Sequence, residues 1–176
     1  MAADFIKGYI QVYTGNGKGK TTAALGLAMR AAGHGISSYF AQFMKGQKYG
    51  ELAAAKRLNL ITIEQFGSEQ FVHVNKATAE DIRLAKLGLK RAAQAMACGR
   101  YRIVVLDEVN VALYFKLLTV NEVLKFIDQK PDDVELILTG RFAPQQVIDR
   151  ADLVTEMREV KHYFQKGVAF RQGIEN

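Results

Sequence analysis

One cysteine, two prolines and no tryptophan occur among the 176 residues. A single cysteine, Cys98, excludes an internal disulfide and argues against a multi-cysteine metal site. Lying near a helix end in "AMACG", it reads as a small buried hydrophobe. Two prolines leave no material for a Pro-rich linker. No run approaches the roughly 18 apolar residues of a membrane span. The start, "MAADFIKGYI", lacks the apolar stretch of a secretory leader. Together these absences predict a cytoplasmic protein with no membrane segment. Concentrated charge is missing as well. The net charge is +6, yet the basic residues are scattered, in groups no longer than "GKGK", "KR" and "GRYR". A nucleic-acid interface would show a basic stripe, so nucleic acid is not expected as a partner. An anionic small ligand accounts for the excess, and so does an ordinary solvated surface.

What is present is globular. Hydrophobic residues make up 49% and charged residues 24%, and a chain of this length predicts one domain, 1–176, with a sizeable core. Strand-like and helix-like segments alternate. "GYIQVYT" (8–14) alternates and is rich in β-formers. A helix opens near Lys20 and is ended by Gly33 and Gly35. "ISSYFAQFM" (36–44) and "LITIEQF" (60–66) read as strands around a short helix in "GELAAAKRLN". Residues 67–77 show no period and read as a loop. Thr78 opens a long helix through "TAED", a capping-box variant with Asp81 in place of glutamate. Ile82, Ala85, Leu89, Ala92, Ala93 and Met96 share one face of it. "RIVVLDEVN" and "VELILTGR" are short apolar runs that suit central parallel strands, with a helix in "TVNEVLKFIDQ" between them. A short helix near "PQQVIDR" and an edge strand near "DLVTEMR" follow. The expectation is α/β, a mostly parallel sheet flanked by helices.

The chemistry concentrates in "YTGNGKGKTT", residues 13–22, at the junction of the first strand and first helix. Successive N–H groups in a Gly-rich turn make an anion nest, and the helix N-terminus adds about half a positive charge. Lys20 can place an ammonium on phosphates, Lys18 adds a second charge, and the Thr21 hydroxyl suits Mg²⁺. The strict phosphate-loop pattern asks for glycine at position 14, where this chain has Thr14. The inner glycines, Gly15, Gly17 and Gly19, keep the nest. Such a loop indicates nucleoside triphosphate binding and is silent about the reaction.

Two further groups fall at carboxyl ends of strands, where open α/β sheets bind ligands. Asp107 and Glu108 close "IVVLDE" and can hold a metal opposite Thr21, serve as general base for a water, or form a solvated acidic turn. Because neighbouring strand side chains point opposite ways, only one of them is expected to face the site. Arg141, in "LTGR", binds phosphate or ribose, or covers a helix end. Arg30, two turns or more beyond the nest, is structural or touches a distant part of a ligand.

"TGNGKGKTTAALGLAMRAAGHG", "VVLDEVNVAL", "LILTGRFAPQQVIDRADLVTEMREVKHYFQKGV" and the closing "QGIE" resemble the ATP:corrinoid adenosyltransferases of the single-domain P-loop type. The resemblance covers residues 8–175, and threonine at the first glycine position is itself a trait of that family. It implies a P-loop NTPase, RecA-like architecture. It also implies an activity: transfer of the 5′-deoxyadenosyl group of ATP to Co(I) of a reduced corrinoid, with Mg²⁺ or Mn²⁺ and release of triphosphate. By motif match, Gly15, Asn16, Gly17, Lys18, Gly19, Lys20, Thr21 and Thr22 would carry the nucleotide, with Lys20 supplying charge to the leaving group. Thr21 and Glu108, with Asp107 beside it, would hold the metal. Arg30 and Arg171 match family arginines near the nucleotide. Some members displace the lower axial ligand of cobalt with two aromatic side chains in the loop before the long helix. Phe71 matches the first, or is an ordinary core residue; His73 stands at the second, where other members can have tryptophan, as a participant or as a plain surface residue. A flavoprotein or other electron donor and a homodimer are further implications. The rival from the loop alone is a P-loop NTPase or small-molecule kinase acting at the γ-phosphate.

Overall fold

The computed structural model describes residues 7–47, 49–68 and 77–175. Six strands form one sheet: β1 (Ile10–Thr14), β2 (Ser38–Phe43), β3 (Ile61–Phe66), β4 (Ile103–Asp107), β5 (Glu135–Thr139) and β6 (Leu153–Glu156). Their spatial order is β3-β2-β4-β5-β1-β6, and every pairing is parallel. The helices are α1 (Lys20–Ala32), α2 (Gly50–Ala55), α3 (Ala79–Ala97), α4 (Val109–Tyr114), α5 (Val120–Ile127) and α6 (Gln145–Ile148). No helix among the described residues is long and apolar enough to cross a membrane.

The central strands are apolar throughout because both of their faces are covered. In β4, Val104 and Leu106 join the core under α3, α4 and α5, while Ile103 and Val105 join the core under α1. In β5, Leu136 and Leu138 go one way and Ile137 the other. This is why the two runs show no alternation in sequence. β6 lies at the sheet edge and all four of its residues are exposed.

The long helix forms as its sequence predicts. The Thr78 hydroxyl accepts from Asp81 N, and Asp81 Oδ2 accepts in return from Thr78 N at 2.9 Å. Its buried stripe includes Ala85, Gly88, Ala92, Ala95 and Met96, with Ile82, Leu89 and Ala93 packed partly buried beside it. Gly88 is required there, since a Cβ would stand 2.8 Å from the Phe66 ring. Cys98 is a correction: it is exposed. It caps α3 two residues beyond Met96, about 200° around the helix axis from that stripe. α4 also departs from expectation, because β4 stops at Asp107 and "VNVALY" is helical.

Candidate active site

β1 delivers the chain to the carboxyl edge of the sheet, where the Gly-rich loop turns it into α1. Gly15 (φ 92°) and Gly19 (φ 117°) adopt left-handed backbone that a side chain would strain. Gly17 meets a second demand, close approach. Its N–H donates to Met157 O at 2.7 Å, and a Cβ there would meet the same oxygen at 2.7 Å. The loop is thus moulded against the segment that follows β6. Asn16 adds to this, its Oδ1 accepting from Glu159 N at 3.1 Å. Thr14 ties the loop's start to the segment after β5, accepting from Ala143 N at 3.3 Å.

The first bond of α1 is Ala23 N to Gly19 O, 2.8 Å. The N–H groups of Lys20, Thr21 and Thr22 precede it and have no acceptor among the described residues. They are the orphan donors of a helix N-terminus, and they border a cleft of about 1030 Å³. Lys20 is buried, its Nζ donating to Gly15 O (2.9 Å) and Gly17 O (2.7 Å). Burial pulls its pKa down, opposed by Glu108 and Asp107. The ammonium therefore sits inside the loop, where a phosphate would offset that desolvation.

Asp107 is fully buried and accepts four hydrogen bonds. Its Oδ1 takes Thr21 Oγ1 (2.8 Å) and Thr139 Oγ1 (2.7 Å); its Oδ2 takes Lys45 Nζ (2.9 Å) and Gln42 Nε2 (3.2 Å). Glu108 leaves the strand in a left-handed conformation (φ 63°), its N–H on Thr139 Oγ1 at 3.0 Å. One of the two carboxylates, Glu108, lines the cleft, while Asp107 is buried behind it against Thr21. Burial, then the neighbouring Asp107 charge, push the Glu108 carboxyl up, against the pull of Lys45, Lys20 and Arg141. The Thr21 hydroxyl and Glu108 carboxylate are hard oxygen donors of the kind Mg²⁺ takes. Among the described residues no cluster of three or more His, Cys, Asp or Glu side chains could hold a metal.

Of the other residues singled out in sequence, Arg141 is exposed and lines the cleft. Lys18 also lines the cleft, its Nζ donating to Tyr163 Oη (2.8 Å), Glu175 Oε1 (2.9 Å) and Ile174 O (3.1 Å). Arg171 meets the same carboxylate at 3.1 Å, with its guanidinium 4.6 Å from the centre of the Tyr163 ring. The C-terminal segment thereby closes one wall of the cleft through Phe170, Gly173, Ile174 and Glu175. Arg30 is exposed in the last turn of α1 and does not line the cleft. Phe71 and His73 lie outside the described residues. Sequence reasoning missed Lys45, Gln42 and Thr139. The available signal was position: each lies at or near the carboxyl end of β2 or β5, on the ligand-binding rim.

Comparison with known proteins bears on what this cleft does. The family model described as ATP:corrinoid adenosyltransferase BtuR/CobO/CobP matches residues 6–176. A corrinoid adenosyltransferase of Sinorhizobium sp is 37% identical over 173 residues, covering 96% of this chain and 80% of the relative. That of Pseudomonas aeruginosa is 38% identical over 170 residues, covering 96% and 84%. The corrinoid adenosyltransferase CobA of Salmonella typhimurium is 36% identical over 176 residues, covering 96% and 86%. With a match that runs through the loop, the Asp107-Glu108 corner and the C-terminal wall alike, the chain belongs to the ATP:corrinoid adenosyltransferase family.

Proposed function

We infer that this chain transfers the 5′-deoxyadenosyl group of ATP to the cobalt of a reduced corrinoid, in the making or salvage of adenosylcobalamin. Family membership supports the reading. The observation that carries it is the nest at the end of β1, with Lys20 buried in it and Thr21 on Asp107, opening on one cleft. In this reaction Co(I) supplies the electron pair, the Co–C5′ bond forms and the C5′–O bond breaks. Triphosphate leaves with that bond's electrons, and cobalt becomes formally Co(III). No water needs activation, so Asp107 is free to stay locked among its four donors.

The loop's work is then to hold the leaving group and meet its growing charge with donors already in place. The N–H groups of Lys20, Thr21 and Thr22, the Lys20 ammonium and Arg141 face that task. A divalent ion, Mg²⁺ or Mn²⁺, would be held by Thr21 and Glu108, with Asp107 orienting the Thr21 hydroxyl; it would neutralise the triphosphate. The remaining contribution is alignment of cobalt, carbon and leaving oxygen. The resemblance further assigns Phe71 to the lower face of the corrinoid, with His73 at the second position as a participant or a plain surface residue, and it assigns a homodimer and a flavoprotein or other reductant to the working enzyme; a cytoplasmic setting is proposed from the composition. Chemistry at the γ-phosphate is not favoured, since the family is named for adenosyl transfer.

The test is anaerobic incubation of the protein with Mg-ATP and chemically reduced cob(I)alamin. A light-sensitive cobalt–carbon product is expected. An unchanged corrinoid in the presence of bound nucleotide contradicts the reading.

A further inference from the structure

We propose that Lys45, delivered from the end of β2, is a second phosphate-binding cation of the nucleotide site, acting on the triphosphate beside Lys20. The inference deepens the reading above and rests on it. Lys45 lines the same cleft as the Gly-rich loop. Its Nζ is 2.9 Å from Asp107 Oδ2, while Thr21 Oγ1 is 2.8 Å from Oδ1 of the same carboxylate. One fully buried group therefore brings the ammonium next to the residue that follows Lys20.

The backbone around Lys45 is built to aim it. Met44 has φ 56°, a strained conformation for a residue with a side chain, and its N–H is held by Phe66 O at 3.1 Å. Gly46 then packs so closely on the β3 exit that a Cβ would stand 2.5 Å from Gly67 O and Ser68 O. The backbone is thus fixed on both sides of Lys45, and Asp107 holds its ammonium. Its partners leave capacity for a ligand. An ammonium has three donors, and Asp107 takes one, with Glu51 a looser neighbour at 3.6 Å. Lys18 is committed to Tyr163 and Glu175. Lys45 thus supplies charge from the wall facing the loop.

The experiment measures binding, not turnover. Affinities for inorganic triphosphate, for ATP and for adenosine are measured by calorimetry, with and without Mg²⁺, on the wild type, Lys45→Arg and Lys45→Met. Lys45→Met is expected to weaken triphosphate and ATP roughly ten- to hundredfold, the range of a charge-assisted hydrogen bond. Adenosine should be unaffected, and Lys45→Arg should retain much of the affinity. Removing Lys45 leaves the Asp107 charge buried without its cation, which can unfold the chain. Asp107→Asn and the Asp107→Asn/Lys45→Met double variant therefore form a second pair, free of that charge. The same loss between these two supports the proposal. Equal triphosphate affinity with and without Lys45, in either pair, overturns it. Wild-type protein that binds no triphosphate overturns the nucleotide site itself, a separate outcome.

Discussion

Lys20 carries the sharpest expectation at the scale of single residues. Its ammonium bonds two loop carbonyls and is nearly inaccessible to solvent. Lys20→Ala should lower kcat by about 10²- to 10³-fold, the effect of deleting one preplaced donor to a developing charge, with folding intact by circular dichroism. Glu108 gives a pH signature. Its carboxyl is raised by burial, so the folded chain holds that proton more tightly than the unfolded one. Its contribution to stability is fully present below the ordinary carboxylate range and is lost as pH rises through the raised value. Thermal unfolding against pH should show this decline in the nucleotide-free protein, and Glu108→Gln should remove it. The loop, the two carboxylates and Arg141 were legible because each is a local pattern next to an apolar run. Gln42, Lys45 and Thr139 were not, because their meaning depends on strand order. Gln42 faces Asp107 only because β2 neighbours β4, and Thr139 reaches it only because β5 lies on the other side.

At the scale of elements, the long helix rests on its start. Thr78 and Asp81 exchange hydrogen bonds, and Ser68 adds one to Asp81 at 3.3 Å. Burial raises the Asp81 carboxyl, but the bonds from Thr78 and Ser68 outweigh it and hold it below its ordinary value. That stabilisation is present above the ordinary carboxylate range and fades as pH falls through the lowered value. Thr78→Ala should cost about 1 kcal/mol in urea unfolding, and the difference from wild type should shrink in acid. The six strands were legible from composition, since β-branched and apolar runs bounded by Gly and charge leave few alternatives. α4 was not. The strand-like run "RIVVLDEVN" overlaps its start, and the left-handed turn at Glu108 begins a helix there.

Over the whole molecule, the cleft is completed by chain that is remote in sequence. Lys18 and Glu175 are 157 positions apart yet bonded at 2.9 Å. Hydrogen bonds from Arg171, Tyr163 and Lys18 hold the Glu175 carboxyl well below the usual range. The closure is therefore present above the ordinary carboxylate range and lost only as pH falls through that lowered value. Glu175→Gln should loosen the segment, seen as faster proteolytic cleavage after residue 166 while the melting temperature of the core changes little. Pattern could not supply this contact; the motif "QGIE" pointed to the family without saying what it touches. The account's central claim is that the nest grips a triphosphate while carbon, not phosphorus, is attacked. Phosphorus NMR of the products from ATP and reduced corrinoid tests it most directly. Intact inorganic triphosphate, in equal amount to the alkylated corrinoid, is predicted; ADP and orthophosphate without alkylated corrinoid would contradict it.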